Sequence, residues 1–263
     1  MMRIIKKNNI NGVLITNGTL ISSDAAKEII KTKWDEIQFS IESYKENIDG
    51  FLRGKKDSLK KSINGINYIN DYKKKTNNKK TKICIRTIIT KYNYHHISDL
   101  IIFAHKYSIN KIYLRTVNEG ECNFEGDLSV EQKDYSKLLS EIEKAKKFAS
   151  QYNINMELEF NMNSLKRNMP IKKETKHNCL IPYKEIVIFA NGKASPCCNF
   201  FEYQFTDKYP NILIDTLNTN LKEIWFNKFQ DFRNEIMRKP NKICKMCSQD
   251  MISHESKLRK NIN

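Results

Sequence analysis

The chain has 263 residues, of which 40% are hydrophobic and 29% charged, with a net charge of +16. That length and balance build one large folded domain or two small ones and exclude wholesale disorder. No apolar run nears the roughly 20 residues that span a bilayer, and Val13-Leu14-Ile15, after the basic Arg3, Lys6 and Lys7, is too short for a signal peptide. No membrane partner is expected, and a cytoplasmic location is.

The positive charge does not by itself point to nucleic acid. Lysines are spread along the whole chain, and the densest run, Lys73-Lys74-Lys75-Thr76-Asn77-Asn78-Lys79-Lys80, has no interleaved aromatics. It reads as a solvated loop between two periodic segments, so nucleic acid is not an expected partner.

In chain order, Val13-Leu14-Ile15-Thr16 is a short apolar run of the kind a buried strand needs. Ser22, Ser23 and Asp24 offer a helix start ahead of Ala25, Ala26, Ile29 and Ile30. Ile37, Phe39 and Ile41 alternate as a strand, Leu59, Ile63, Ile66 and Ile69 recur near helical spacing, and Ile83, Ile85, Ile88 and Ile89 mark a further strand. A helix is expected over Ile97, Leu100, Ile101 and Ala104, then a strand through Ile112 and Leu114. Ser129 and Gln132 have capping-box spacing before the stripe Tyr135, Leu138, Leu139, Ile142, Ala145 and Phe148. Ile154, Met156, Leu158 and Phe160 alternate once more.

The order is βαβαβαβαβ, which predicts a parallel sheet with helices packed on it over residues 1–160. Residues 161–178 lose the pattern and read as a linker. From residue 179 the chain differs: a hairpin with its turn at Asn191-Gly192, one or two short helices between Leu221 and Met237, and a terminal cysteine pair.

The seven cysteines are an odd number in a chain without a leader, which favours metal or redox chemistry over a disulfide framework. Cys84 and Cys122 read as small buried hydrophobes. Cys179, Cys197, Cys244 and Cys247 follow the spacing C-x17-C-x46-C-x2-C, with Cys198 as a spare thiol. A C-x2-C pair brings two thiolates to one centre from a single turn, and distant cysteines complete the shell. Four thiolates suit tetrahedral zinc or an iron–sulfur cluster, and the spacing leaves both open.

Cys179-x12-Gly192-x4-Cys197, with IVIFANGKASPCC around the hairpin turn, resembles the opening of the SPASM domain, the C-terminal extension of many radical S-adenosylmethionine enzymes. NILIDTLNTNLKEIWFNKFQDFR, residues 211–233, resembles the stretch that follows it. No cysteine follows Cys247, where a full SPASM domain carries more, so the likeness is to the shortened Twitch variant with one cluster. The first half carries a second resemblance. VLITNGTLI (13–21), IQFSIES (37–43), DGFLRGKKDSLKKSINGINYI (49–69) and RTIITKYNYHHISDLIIFAHKYSINKIYL (86–114) are similar to the third to sixth units of the radical S-adenosylmethionine barrel.

The resemblance implies an incomplete (β/α)6 partial TIM barrel of about four βα units, followed by a small α+β SPASM/Twitch domain at 179–263. It implies an auxiliary [4Fe-4S] cluster on Cys179, Cys197, Cys244 and Cys247. Thr16, Asn17, Ser40, Glu42 and Arg53, with Arg86 or Arg115 less securely aligned, match positions that bind S-adenosylmethionine. The family's C-x3-C-x2-C motif has no counterpart here. The expectation is an N-terminally truncated enzyme, or one whose missing segment comes from a separate polypeptide, and S-adenosylmethionine is expected only with that segment supplied. The implied activity is radical oxidation or modification of a small molecule or peptide: a sugar, an aminocyclitol or a peptide. No catalytic residue is assigned. The other reading is a four-cysteine zinc-stabilised basic binding module without catalysis.

Overall fold

The computed structural model describes residues 2–117, 128–160, 181–197 and 212–238. The chain divides into two compact units, Met1–Ile171 and Lys172–Asn263.

In the first unit, five strands form one sheet in the order β1 (Val13–Thr16), β2 (Glu36–Ser40), β3 (Lys82–Ile89), β4 (Lys111–Thr116) and β5 (Asn155–Leu158). Every neighbouring pair is parallel. Spatial order equals chain order and never reverses, as in a singly wound barrel and unlike a doubly wound sheet. The helices are α1 (Met2–Lys7), α2 (Ser23–Lys31), α3 (Glu46–Leu52), α4 (Ser58–Lys75), α5 (Ile97–Lys106) and α6 (Tyr135–Gln151).

Alternation along each strand sorts the side chains onto two faces. Leu14 pairs with Ile37, Ile37 with Ile83, Ile85 with Ile112 and Ile112 with Met156. That apolar face packs against Ala26, Ile29 and Ile30 of α2, Ile66 and Ile69 of α4, Leu100 and Ile101 of α5, and Leu138 and Ile142 of α6, in one core. The crossover helices therefore cover one face. The opposite face carries Glu36, Gln38, Ser40, Cys84, Arg86, Lys111, Tyr113 and Glu157, with Val13 and Ile15 at the β1 edge.

Several local expectations hold for visible reasons. Ser22 caps α2, its Oγ accepting from Ala25 N at 3.2 Å. Two do not. The capping box at Ser129 and Gln132 is not used, because a 3-10 turn at Gln132–Asp134 precedes α6 and the N-cap is Asp134. The basic run is not wholly a loop: α4 continues to Lys75, where Lys73, Lys74 and Lys75 sit in its last turn and complement the negative end of the helix dipole. Helix α3 went unpredicted, since Glu46–Leu52 carries no apolar stripe.

The second unit has a three-stranded antiparallel sheet of β6 (Val187–Ile188), β7 (Lys193–Ser195) and β8 (Ile214–Asp215). The β6–β7 turn passes through Gly192 at φ +81°, a backbone state that side-chain-bearing residues rarely adopt. A single turn at Leu221–Glu223 leads into a π-helical stretch, Ile224–Lys228, and then α7 (Gln230–Arg238). Ala194, Ile224 and Phe229 form its core, with Ile186 and Ile214 packed against them.

Candidate functional site

Ligand sites on parallel sheets collect at the carboxyl ends of the strands, because the loops there are held by a rigid scaffold while their polar groups stay free of the ladder. The first unit has such a constellation at the ends of β1, β2 and β3. Thr16, the last residue of β1, lies on the helix-covered face, and its Oγ1 accepts from Gly18 N at 3.0 Å. Asn17 Oδ1 accepts from Thr19 N at 3.1 Å and Thr19 Oγ1 at 3.0 Å, and its carbonyl accepts from Ser62 Oγ at 2.5 Å. The β1–α2 turn is thus tied to α4.

Ser40 closes β2 on the open face, opposite Arg86 of β3. Two residues on, Glu42 lies between three segments. Its Oε2 accepts from Ile88 N at 2.7 Å, and its Oε1 lies 3.4 Å from Arg53 Nη1 beyond α3. Its backbone N–H donates to Asp49 Oδ1 at 2.8 Å, and its carbonyl accepts from Asn93 Nδ2 at 2.8 Å. Burial pushes the Glu42 carboxyl up to about 7, only partly opposed by the Ile88 N–H and the Arg53 charge. Asp49 is buried with two donors, since Ser58 Oγ gives its Oδ2 a second bond at 2.6 Å. Glu42 and Arg53 are therefore brought together, with Ser40 nearby in sequence and Thr16 turned to the other face.

Arg86 is engaged elsewhere. Its two terminal nitrogens bind Glu159 in a fork at 2.7 and 2.9 Å, its Nε donates to Gln38 Oε1 at 3.1 Å, and the guanidinium lies 5.1 Å from the Tyr113 ring centre. Tyr113 is flanked by Lys111, 4.0 Å from its ring centre, and its hydroxyl donates to Glu36 at 2.9 Å. Lys111 in turn binds Glu157 at 2.5 Å. The open face is thus a satisfied polar network. Sequence reasoning missed Glu36, Gln38, Tyr113, Glu157 and Glu159, although their period-2 spacing against the core positions marks them. Cys84 is buried on this face, and burial followed by the nearby Glu36 carboxylate lifts its thiol to about 12, so it stays protonated and inert.

Of the four expected metal ligands, Cys197 is described. Cys179, Cys244 and Cys247 lie outside the described residues, as does Cys122. Cys197 is buried at the end of the hairpin. Ser195, wholly buried, donates from Oγ to the Cys197 carbonyl at 2.8 Å and accepts from its N–H at 3.4 Å, fixing the turn that presents the cysteine. In the same unit, Arg233 is 4% exposed. Its Nε donates to Pro182 O at 2.8 Å, its Nη1 to Trp225 O, and its guanidinium carbon lies 4.3 Å from the Trp225 ring centre and 5.4 Å from that of Tyr183. Its Nη2 is buried with no hydrogen-bond partner among the described residues.

Comparison with known proteins gives the class. The model of the SPASM iron–sulfur cluster-binding domain matches residues 179–248, a span that contains all four expected ligands. The fold is similar to that of Streptococcus suis SuiB, at 16% identity and a TM-score of 0.68 over 97% of this chain and 59% of that one. SuiB bound to the precursor peptide SuiA aligns at 17% identity, with a TM-score of 0.68 over 97% of this chain and 58% of that one. Native anSMEcpe with bound AdoMet and the Cp18Cys peptide aligns at 17% identity, with a TM-score of 0.60 over 94% of this chain and 67% of that one. No curated protein matches the sequence.

Residues 179–248 thus match a SPASM iron–sulfur cluster-binding domain, and the fold of the chain is similar to the folds of SuiB and anSMEcpe. It spans about three-fifths of the length of the SuiB structures it matches.

Proposed function

We propose that the chain is the barrel-and-SPASM portion of a radical S-adenosylmethionine enzyme that oxidises or modifies a peptide, with an auxiliary [4Fe-4S] cluster in the second unit. The observation that carries this reading is the SPASM match over 179–248, which takes in Cys179, Cys197, Cys244 and Cys247 at once. A peptide is favoured over a sugar or an aminocyclitol because SuiB and anSMEcpe are seen with peptides bound. These 263 residues contain no C-x3-C-x2-C trio, so cleavage of S-adenosylmethionine in this reading requires that trio from a separate polypeptide or from further sequence.

The residues present fit the group. Cys197 is a buried cysteine whose turn is held by Ser195, and the buried guanidinium of Arg233, within the matched segment, has a donor with no partner among the described residues, as suits an anionic centre. Bound there, the cluster supplies a one-electron acceptor. Four thiolates fill its ligand positions, so the substrate does not coordinate it, and the auxiliary site serves oxidation. In the first unit Arg53 offers a cation for a carboxylate, while Ser40 offers a hydroxyl and Asn17 an amide for a ribose; Thr16, on the other face, holds the β1–α2 turn instead. Glu42 holds Arg53 and the β3 end in place.

Anaerobic reconstitution with iron and sulfide tests the reading. Broad absorption near ~400 nm, expected of thiolate-bound iron–sulfur centres, is predicted for the wild type and largely lost in Cys197→Ser. Featureless spectra from the folded wild type would overturn it.

A further inference from the structure

Arg233 is the least conventionally satisfied charge among the described residues. A guanidinium is always protonated, and taking it out of water is costly unless an anion or a full set of acceptors replaces the lost hydration. Arg233 is 4% exposed, yet no carboxylate among the described residues lies within ion-pair reach of it. Two backbone carbonyls, of Pro182 and Trp225, take one proton each from Nε and Nη1. The indole of Trp225 and the ring of Tyr183 provide their faces, a weak partner for a cation compared with a full negative charge. Nη2, which carries two protons, has no acceptor among the described residues.

The elements that build this pocket are specific. The π-helical stretch at Ile224–Lys228 and the start of α7 set Trp225 and Arg233 against each other eight residues apart, and Ile181–Tyr183 closes over them. Pro182 follows Cys179 by three positions, and Arg233 precedes Cys244 by eleven. All lie within the span that matches the cluster-binding domain. A four-thiolate iron–sulfur cluster is a net anion, and its sulfurs accept hydrogen bonds that raise its reduction potential.

We propose that Arg233 is a positioning residue for the auxiliary cluster, its unpartnered Nη2 donating to a cluster sulfur or ligand thiolate and its charge offsetting that of the iron–sulfur core. The proposal rests on the iron–sulfur reading of the second unit and deepens it. It makes Arg233 a determinant of the potential at which the cluster takes up an electron. Reduction adds negative charge to the cluster, so a fixed cation beside it stabilises the reduced form more than the oxidised form. Arg233 touches no substrate in this account, and its effect is electrostatic.

The test uses the full chain, reconstituted anaerobically with iron and sulfide, as wild type, Arg233→Lys and Arg233→Gln. Iron and sulfide content come first: a wild type that assembles no cluster defeats the iron–sulfur reading itself, before Arg233 is in question. With clusters assembled, spectropotentiometric titration is expected to give Arg233→Gln a more negative midpoint potential than wild type, with Arg233→Lys between them. Equal potentials for wild type and Arg233→Gln would overturn the proposal. Because the side chain also ties Pro182 to Trp225, the glutamine variant can fail to fold. In that event the wild type grown with 15N-arginine decides, by pulsed electron paramagnetic resonance of the reduced cluster. A 15N coupling that is retained in wild type and lost in Arg233→Lys supports the proposal, and no 15N coupling in wild type overturns it.

Discussion

Glu42 shows how one buried side chain joins separate segments and makes stability depend on pH. It bridges the ends of β2 and β3 and faces Arg53, and burial outweighs both favourable partners. The sign follows from the raised value. Below the ordinary value of 4.5 the carboxyl is protonated in both folded and unfolded chains. As pH rises towards about 7 the unfolded chain ionises first, so the folded state loses stability across that window and no further above it. Glu42→Gln removes this dependence while keeping an oxygen for Ile88 N. The wild type should lose roughly 3 kcal/mol relative to Glu42→Gln between pH 4 and pH 8, an order-of-magnitude figure from the linkage relation. Urea midpoints at both pH values check it, and a stability difference that stays flat with pH contradicts the assignment. Glu42 was singled out in the sequence through the family resemblance of the IQFSIES segment. That Ile88, 46 residues on, would meet its carboxylate was not legible, because no local pattern encodes a contact across strands.

At the scale of elements, the β1–α2 turn is the most constrained piece near the candidate site. Gly18 has φ +73°, and a Cβ there would overlap the Phe39 ring, which belongs to the apolar face of β2. Gly65 of α4 brings that helix close to the Gly18 carbonyl, and Ser62 binds the Asn17 carbonyl. Gly18→Ala combines backbone strain with overpacking and should cost roughly 2–4 kcal/mol, read as a lowered denaturation midpoint. A change under about 0.5 kcal/mol, the range of ordinary surface substitutions, would show that the turn relaxes freely.

The strands of the first unit were legible because burial on the helix side imposes alternation: Ile37, Phe39 and Ile41, or Ile83, Ile85 and Ile89, mark their own face. Helix α3 was not, because Asp49 and Gly50 are its buried residues and neither is apolar in the usual sense. The capping box failed for a related reason. Spacing between Ser129 and Gln132 is a local signal, and the 3-10 turn ahead of α6 overrode it. The hairpin in the second unit was readable from Asn191-Gly192, where the turn does demand positive φ.

At the scale of the molecule, the first unit pairs a helix-covered apolar face with an open polar one. Parallel sheets are ordinarily covered on both faces. Here the second face carries cations and carboxylates that neutralise one another, Arg86 with Glu159 and Lys111 with Glu157. The polar face was latent in the sequence as the residues between the core positions, but its pairings span 46 and 73 residues and only the fold reveals them. The second unit contributes an equally compact idea: a hairpin cysteine held by a buried serine, and a buried arginine with a donor to spare. Among the described residues no helix is long and apolar enough to cross a membrane.

Metal and acid-labile sulfide content of the anaerobically purified full chain is the most direct measure of whether these cysteines hold an iron–sulfur centre. The account predicts about four iron and four sulfide per chain, as for a cluster on four cysteines, with zinc at trace level. About one zinc per chain without sulfide, the composition of a structural four-cysteine site, would contradict it.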